Sequence, residues 1–126
     1  MRDDVRRALA RDQTDYDRTI DITTTGRKSG LLRRTEIWFH NVEGRIYITG
    51  TPGRRGWLAN LIANPELTFH LKHNAQADLP ATARLIFQTE ERRKVMQTIT
   101  KRIGEDKNLE EWVERSPLIE VEFQVD

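Results

Sequence analysis

Cysteine is absent from the sequence, which excludes disulfide bonds, thiolate metal ligands, thiol catalysis and iron–sulfur clusters. There is no run of about 18 apolar residues, so the sequence predicts no membrane-spanning helix. The N-terminal segment mixes both signs of charge and has no apolar core, so we expect no signal peptide and a cytoplasmic protein. A net charge of +1 argues against a polycation that binds nucleic acid with its whole surface.

Charge is nevertheless unevenly distributed along the 126 residues, which fit one domain spanning 1–126. Between Ile22 and Pro65, seven basic and two acidic side chains give a net charge of +5, and the other residues sum to −4. This local positive field predicts an anionic partner for one face of the fold. The basic residues are Arg27, Lys28, Arg33, Arg34, Arg45, Arg54 and Arg55.

Six segments alternate apolar and polar residues, so that each presents one apolar face, which is typical of antiparallel sheet. Closing such a sheet removes its exposed edges, so we predict a mainly β fold, a small closed or partly closed six-stranded barrel with few flanking helices. The strands are predicted at about residues 20–23, 36–40, 46–48, 67–72, 81–88 and 119–125.

Four helices are predicted from apolar residues at helical spacing, about residues 3–10, 57–63, 90–103 and 109–115. The first has only a narrow apolar stripe, so we expect it to dock loosely. Pro65 ends the second, because proline cannot continue a helix. Val42, Glu43 and Gly44 are predicted to form a hairpin turn. The segment from Lys72 to Leu79 is predicted to be the most flexible.

The strongest local signal is the segment Thr23–Gly30, with the sequence TTTGRKSG and Arg33 close behind it. Its glycines let backbone N–H groups approach a ligand, and its hydroxyls and cations can bind phosphate oxygens. It lacks the full phosphate-binding P-loop pattern. An anion site and a solvated hairpin with ordinary surface cations are both open interpretations.

A second signal, Gly50–Trp57, leads into the second predicted helix. Arg54 and Arg55 precede the helix N-terminus, where cations oppose the macrodipole unless an anion relieves them. We expect these arginines and the cations of the first loop to converge on one cavity. The alternative is a pair of exposed arginines at a frayed helix end.

Large aromatic side chains fall on the polar side of two predicted strands, at Trp38 and Tyr47. Such residues need a ligand, a partner subunit or a helix over them. His70 and His73 point to opposite faces of one strand, and His40 has no acidic partner nearby in sequence. We therefore predict no metal site.

The motif Thr23–Gly30 with Arg33, followed by Trp57-x-x-Asn60-Leu61-x-Ala63-Asn64-Pro65, resembles the deazaflavin-dependent nitroreductase family of flavin/deazaflavin oxidoreductases. The resemblance covers about residues 20–72 well. It implies a split β-barrel, similar to FMN-binding barrels, and a homodimer. It also implies coenzyme F420, a deazaflavin that carries a phosphate and a polyglutamate tail.

The resemblance further implies which residues bind the coenzyme. In the family, the Gly-Arg-Lys-Ser-Gly loop and the following arginine hold the anionic tail, and the Trp and Asn of the helix motif line the site. An aromatic residue often stands beside the ring at the position of Trp38. The family's lysine before the helix has no clear match; Arg54 or Arg55 would replace it, although arginine and lysine are not equivalent phosphate ligands. The implied cofactor-binding residues are Arg27, Lys28, Ser29, Gly30, Arg33, Trp38, Arg54, Arg55, Trp57 and Asn60.

The function implied by the resemblance is hydride transfer from reduced F420 to a small enone, quinone or nitro compound, with no catalytic side chain identified. The tyrosines that some members place near the C-terminus are absent, so nitroimidazole reduction is not assumed. One alternative is an FMN enzyme of the same fold, because the basic loop could hold the FMN phosphate. Another is a non-enzymatic binder of single-stranded nucleic acid that stacks bases on Trp38 and Tyr47, which the resemblance disfavours.

Overall fold

Six antiparallel strands close into a barrel in the computed structural model, which describes residues 1–124. The strands are β1 (Thr19–Thr25), β2 (Leu32–Val42), β3 (Arg45–Thr49), β4 (Glu66–Leu71), β5 (Ala77–Leu85) and β6 (Leu118–Phe123). Their order around the barrel is β1-β2-β3-β6-β5-β4, and β4 pairs with β1 to close it. The predicted six-stranded antiparallel barrel with flanking helices is confirmed.

Five α-helices flank the barrel, and four of them lie at the predicted positions. The one that the sequence did not predict has only four residues, too few to show helical periodicity, and it begins where Thr14 Oγ1 accepts a hydrogen bond from the Asp17 N–H (3.1 Å). Within residues 1–124, no helix is long and apolar enough to cross a membrane. The helices are α1 (Asp3–Ala10), α2 (Asp15–Arg18), α3 (Gly56–Ala63), α4 (Thr89–Arg102) and α5 (Leu109–Arg115).

Alternation along the strands divides their side chains between the barrel interior and its outer wall. Ile22, Phe39, Ile48, Phe69 and Ile119 are fully buried in the inner core. The rings of Phe39 and Phe69 meet edge to face with their centroids 5.7 Å apart. This packed core fixes the strands from which the loops of the candidate site extend.

A second hydrophobic layer lies between the outer wall of the barrel and the helices α4 and α5. Tyr47 on β3 belongs to this layer and is buried beside Met96 and Trp112. Arg92 on α4 crosses the layer and donates to the carbonyls of Ile86 (2.8 Å), Val113 (2.6 Å) and Ser116. The helices are therefore part of the fold's core.

The β2–β3 hairpin confirms the predicted turn. Glu43 and Gly44 have φ angles of 55° and 85°, and the flanking residues Val42 and Arg45 pair directly. Two consecutive positive φ angles are typical of the type I′ turn, whose twist matches that of the strands. The turn sets the register that places Phe39 opposite Ile48.

The prediction of a loosely docked first helix is wrong. Val5, Ala8 and Leu9 are buried and belong to the inner core of the barrel. A narrow apolar stripe is enough to dock the helix, because α1 adds only these three side chains to a core that the strands already enclose. Tertiary packing therefore decides its docking.

Two predictions about β5 are also wrong. The strand ends at Leu85, after which Ile86 is buried and Phe87 is exposed, so the alternation does not continue to Phe87. Residues 77–79, expected to be flexible, belong to β5 and pair with β4. Val125, assigned to the last predicted strand, lies outside the described residues.

Candidate cofactor site

The loop between β1 and β2 is held closed by its own hydrogen bonds. The Gly26 N–H donates to the Leu31 carbonyl (2.7 Å), and the Gly30 N–H donates to the Gly26 carbonyl (2.8 Å). A Cβ atom at residue 26 would lie 2.7 Å from Ser29 Oγ, which requires that side chain to move. Gly30 has a φ of 72°, a conformation that favours glycine. The loop therefore presents its cations from a defined backbone.

Asn60 on α3 joins this loop to the helix and to β1. Its amide oxygen accepts hydrogen bonds from the Arg27 backbone N–H and from Arg27 Nη1, each 3.1 Å long. Its Nδ2 donates to Thr24 Oγ1 at 3.2 Å, and both Asn60 and Thr24 are buried. The two sequence motifs, separated by 33 residues at this contact, thus meet in space.

A cavity of about 380 Å³, which we call the basic cavity, opens where the two motifs meet. Arg27, Lys28 and Arg33 line it with exposed side chains, and the buried Trp57 contributes to its wall. No ion pair formed within residues 1–124 includes any of these three cations. The wall is completed by Thr24, Gly26, Ser29, Thr35, Gly56 and Asn60.

Neighbouring arginines of β2 have different environments because alternate residues of a strand face opposite sides. Arg33 lies opposite the buried Thr24 and lines the basic cavity. Arg34 lies opposite Thr23 and donates from Nε to Asp21 Oδ2 at 2.9 Å. Of this arginine pair, only Arg33 belongs to the site.

Arg54 and Arg55 do not line the basic cavity, so the expected convergence of cations from two loops is not found. Arg55 folds back on its own loop and donates to the Thr51 carbonyl (2.8 Å), to Thr51 Oγ1 (2.5 Å) and to the Arg54 carbonyl (3.0 Å). Gly50 and Gly53 leave room for its guanidinium, which lies 3.4 Å from a Cβ built on either residue. Arg55 thus stabilises the loop, and Arg54 is exposed.

Trp38 lines a different cavity of about 330 Å³ on the outer wall of the barrel, which we call the aromatic cavity. Trp38 is 36% exposed, and the guanidinium carbon of Arg18 lies 6.0 Å from its ring centroid. The other walls are formed by the β3–α3 loop, by the end of α4 and by α5. Its remaining lining residues are His40, Thr49, Gly50, Thr51, Ile103, Glu105 and Trp112.

The continuous segment from Gly50 to Trp57, which comprises the β3–α3 loop and the start of α3, borders both cavities. Gly50 and Thr51 line the aromatic cavity, and Gly56 and Trp57, a few residues further along the chain, line the basic cavity. The ten residues that the sequence analysis gave as cofactor-binding therefore fall into three groups. The first group surrounds the basic cavity: six of its residues line the cavity, and Gly30 lies in the same loop without lining it. Trp38 lines the aromatic cavity, and Arg54 and Arg55 lie in the β3–α3 loop.

Tyr47 is covered by helices and cannot stack on a nucleobase. It is 4% exposed, and burial, followed by the nearby Glu120 carboxylate, raises the pKa of its phenol. The prediction that a large aromatic at this position needs a covering is confirmed. The nucleic-acid alternative thereby loses one of its two proposed stacking residues.

The histidines have three different environments. His70 lies between Thr23 Oγ1 (2.6 Å from Nε2) and Asp78 Oδ1 (2.7 Å from Nδ1). His73 stacks on Tyr16 with ring centroids 4.0 Å apart. Within residues 1–124, no group of three or more His, Asp or Glu side chains is arranged to hold a metal ion.

Sequence reasoning did not assign His40 or Trp112 to a site. Burial, the main cause, lowers the pKa of the His40 imidazole to about 4, with Arg18 and Arg102 acting in the same direction and Asp12 against them. Trp112 is buried in the layer between the barrel and its helices and also lines the aromatic cavity. Strand alternation places His40 on the same face of β2 as Trp38, but no local signal places Trp112 there, because Trp112 belongs to α5, which is distant in sequence.

The residues of the basic cavity fit an anionic cofactor. Three cations that have no carboxylate partner within residues 1–124 surround a glycine corner into which a side chain could not fit without displacing Ser29. Guanidinium and ammonium groups bind phosphate and carboxylate oxygens strongly. The fold is a split β-barrel, and its basic cavity has the residues that an anionic ligand requires.

The particular family follows from the sequence of the whole barrel. The family model of the F420H(2)-dependent quinone reductases matches residues 5–124, so the chain belongs to this family. It is an F420-dependent oxidoreductase, and coenzyme F420 is its cofactor. The resemblance to F420-dependent reductases is confirmed. None of the curated proteins matches the chain.

Solved structures share the fold. A conserved hypothetical protein of Mycobacterium tuberculosis, Rv2991, has a TM-score of 0.76 at 14% identity, covering 99% of this chain and 82% of its own. An F420-H2-dependent reductase (FDR-A) has a TM-score of 0.64 at 24% identity over 82% of this chain and 93% of its own. A domain-swapped dimer has a TM-score of 0.62 at 25% identity over 82% of this chain and 79% of its own.

Proposed function

We propose that the protein reduces a quinone with reduced F420, and that Arg27, Lys28 and Arg33 hold the phosphate and glutamate tail of the cofactor. The observation that carries the proposal is the basic cavity itself, in which these three exposed cations have no carboxylate partner within residues 1–124. An anionic ligand would satisfy all three. Ser29, which lines the cavity, would present its backbone to the same ligand.

The arrangement of the two cavities supports a position for the ring. The β3–α3 loop lines the aromatic cavity through Gly50 and Thr51, and the first turn of α3, which follows it directly, lines the basic cavity. Trp38 lines the aromatic cavity, and aromatic side chains stack favourably on planar rings. We infer that the cofactor crosses this loop and that its ring reaches the aromatic cavity. Arg55 would act indirectly, by holding the loop through Thr51.

The reaction requires positioning and shielding from the protein. Reduced F420, when bound, supplies a hydride, which carries two electrons and one proton to the acceptor. The second proton of the resulting hydroquinone comes from water. The walls formed by Trp38, Ile103 and Trp112 exclude water from one side of the acceptor and orient its ring.

A quinone is favoured over an enone or a nitro compound by two observations. Quinone reduction is the activity for which the family is named. The aromatic cavity has two indoles and an isoleucine among its walls, which suits a flat apolar ring. Enones and nitro compounds are the comparison substrates for the test.

The test combines binding and turnover. F420 binding is measured by quenching of its fluorescence, and turnover by oxidation of reduced F420 with menadione, a cyclic enone or a nitroaromatic. We expect wild-type protein to bind F420 and to prefer menadione. The double variant Arg27→Ala/Lys28→Ala should weaken F420 binding about a hundredfold, because two charge-assisted contacts are lost.

The matched control is Arg6→Ala/Arg7→Ala, which removes the same charge from two adjacent, exposed positions on α1. Its F420 affinity should stay within about twofold of the wild type. Equal affinity in all three proteins would contradict the assignment of the tail. A preference for the enone or the nitro compound would contradict the assignment of the substrate.

We further propose a homodimer. A related structure is a domain-swapped dimer, and Leu31, Leu32 and Phe87 are large apolar side chains that are mostly exposed in the single chain. Burial of such side chains favours association. Sedimentation at micromolar concentration should give twice the mass of the chain, and a monomer mass across the concentration range would contradict the proposal.

A further inference from the structure

His40 is a buried polar residue whose hydrogen-bonding capacity is not used within the protein. The side chain is 2% exposed, and its Nδ1 has no hydrogen-bond partner among residues 1–124. The other two histidines differ, since His70 is bonded through both nitrogens and His73 stacks on Tyr16. A buried polar atom without a hydrogen-bond partner destabilises the fold, so the presence of His40 at this position needs an explanation.

The position of His40 supplies that explanation. The residue lines the aromatic cavity together with Trp38 and Trp112. The polar groups next to His40 already have hydrogen-bond partners. The Asn41 N–H donates to Asp12 Oδ2 at 2.7 Å, and Asp12 also accepts hydrogen bonds from Arg18 and Arg102. Because His40 lines the aromatic cavity, an occupant of that cavity can supply a partner for its imidazole.

We propose that the His40 imidazole donates a hydrogen bond to a carbonyl oxygen of the planar ring that occupies the aromatic cavity. The inference rests on the proposed function, because it takes the occupant to be the ring of F420 or of the quinone. Both rings carry carbonyl oxygens, so the two sources share one chemistry. His40 is thereby a specificity-determining residue that selects carbonyl-bearing rings over hydrocarbon rings of the same size.

The electrostatic surroundings suit a donor that keeps its proton. Burial and the guanidinium groups of Arg18 and Arg102 disfavour imidazolium more strongly than Asp12 favours it, which lowers the pKa of His40 to about 4. Glu105, which also lines the cavity, is a further charged neighbour. A neutral imidazole has one N–H, which can stabilise negative charge that develops on a carbonyl oxygen. Because the His40 imidazole keeps its proton, the second proton of the hydroquinone still comes from water.

Nuclear magnetic resonance of protein labelled with ¹⁵N-histidine provides the direct test. The chain has three histidines, so His70 and His73 serve as internal controls in the same sample. Menadione alone and oxidised F420 alone are titrated in separate experiments. We expect the His40 nitrogens to shift on addition of at least one ring, while those of His70 and His73 stay in place. The ligand that shifts His40 identifies the source of the carbonyl.

Variants separate a role in recognition from a structural role. His40→Leu removes the unsatisfied atom, so the melting temperature should rise by about 4 °C while kcat/KM for menadione falls about tenfold. His40→Asn and His40→Gln keep an N–H donor, and at least one of them should retain more activity than His40→Leu. His73→Gln is the control and should leave kcat/KM unchanged.

The inference is overturned if His40 does not respond to either ring, or if His40→Leu loses stability and keeps its KM and kcat. These results are distinct from failure of the proposed function. A protein that binds F420 and reduces menadione with an unresponsive His40 refutes only this inference. A protein in which menadione shifts His40 but F420 does not bind refutes only the proposed cofactor tail site.

Discussion

The amide oxygen of Asn60 accepts two hydrogen bonds from Arg27, one from the backbone N–H and one from Nη1, each 3.1 Å long. The helix α3 thereby fixes both the backbone and the side chain of the first cation in the loop. Asn60 also donates to Thr24 on β1, so one buried amide connects three elements of the site. This arrangement orients the cations of the loop before a ligand arrives, which reduces the entropy lost on binding.

Asn60→Ala should therefore affect both stability and cofactor binding. The variant leaves the Arg27 N–H and Thr24 without their partners, so unfolding should become easier by about 2 kcal/mol. F420 affinity should fall roughly tenfold, because Arg27 is no longer held in place. Chemical denaturation and fluorescence titration measure the two effects. Asn64→Ala, which removes only a contact to the Glu66 N–H at 3.2 Å, is the control and should bind F420 normally.

Two adjacent arginines of β2 provide a second prediction. Arg33→Ala should weaken F420 binding about tenfold or more, since Arg33 lines the basic cavity without a carboxylate partner within the described residues. Arg34→Ala should leave it within about twofold, because Arg34 faces Asp21 on the other side of the strand. The comparison is made by titration at low salt. Equal losses in the two variants would mean that only net charge matters.

The sequence predicts the barrel well because strand alternation and turn chemistry are local signals. The β2–β3 hairpin follows from Glu43 and Gly44, and the end of α3 follows from Asn64 and Pro65. The basic loop was also recognisable, since Gly26 and Gly30 are required by its geometry. These features depend on residues that are close together in the chain.

Other features depend on contacts between distant segments. Alternation places Tyr47 on the outer wall, but only the packing of α4 and α5 determines that it is covered. Arg55 binds its own loop rather than the basic cavity, because Thr51 lies within reach of its guanidinium once the loop has folded. His40 and Trp112 share a cavity for the same reason. Sequence motifs do not specify which distant residues become neighbours in the folded chain.

A third prediction concerns adjacent arginines of α4. Arg92 is half-buried and donates to three carbonyls of the β5–α4 connection and the end of α5, and burial lowers its pKa. Arg92→Met should cost about 3 kcal/mol, because these buried carbonyls lose a charged donor. Arg93 forms a surface ion pair with Glu110, so Arg93→Met should cost less than about 1 kcal/mol. Urea denaturation of both variants tests the difference.

The pH dependence of stability follows from His40. Its pKa is about 4 in the folded chain and near the ordinary 6.5 in the unfolded chain, so the unfolded state binds more protons between these values. Stability should therefore be intact above pH 6.5 and fall by about 3 kcal/mol as the pH decreases through about 4. His40→Leu should remove that part of the loss. Identical pH profiles for the two proteins would contradict the assignment.

The basic cavity, by our proposal, holds the anionic tail of F420 through Arg27, Lys28 and Arg33. The most direct measurement compares the affinity of F420 with that of the same deazaflavin ring lacking the phosphate and glutamates, by fluorescence titration at increasing salt. We predict that F420 binds at least about a hundredfold more tightly at low salt and that the advantage shrinks as salt screens the cations. Equal affinities for the two compounds, independent of salt, would contradict it.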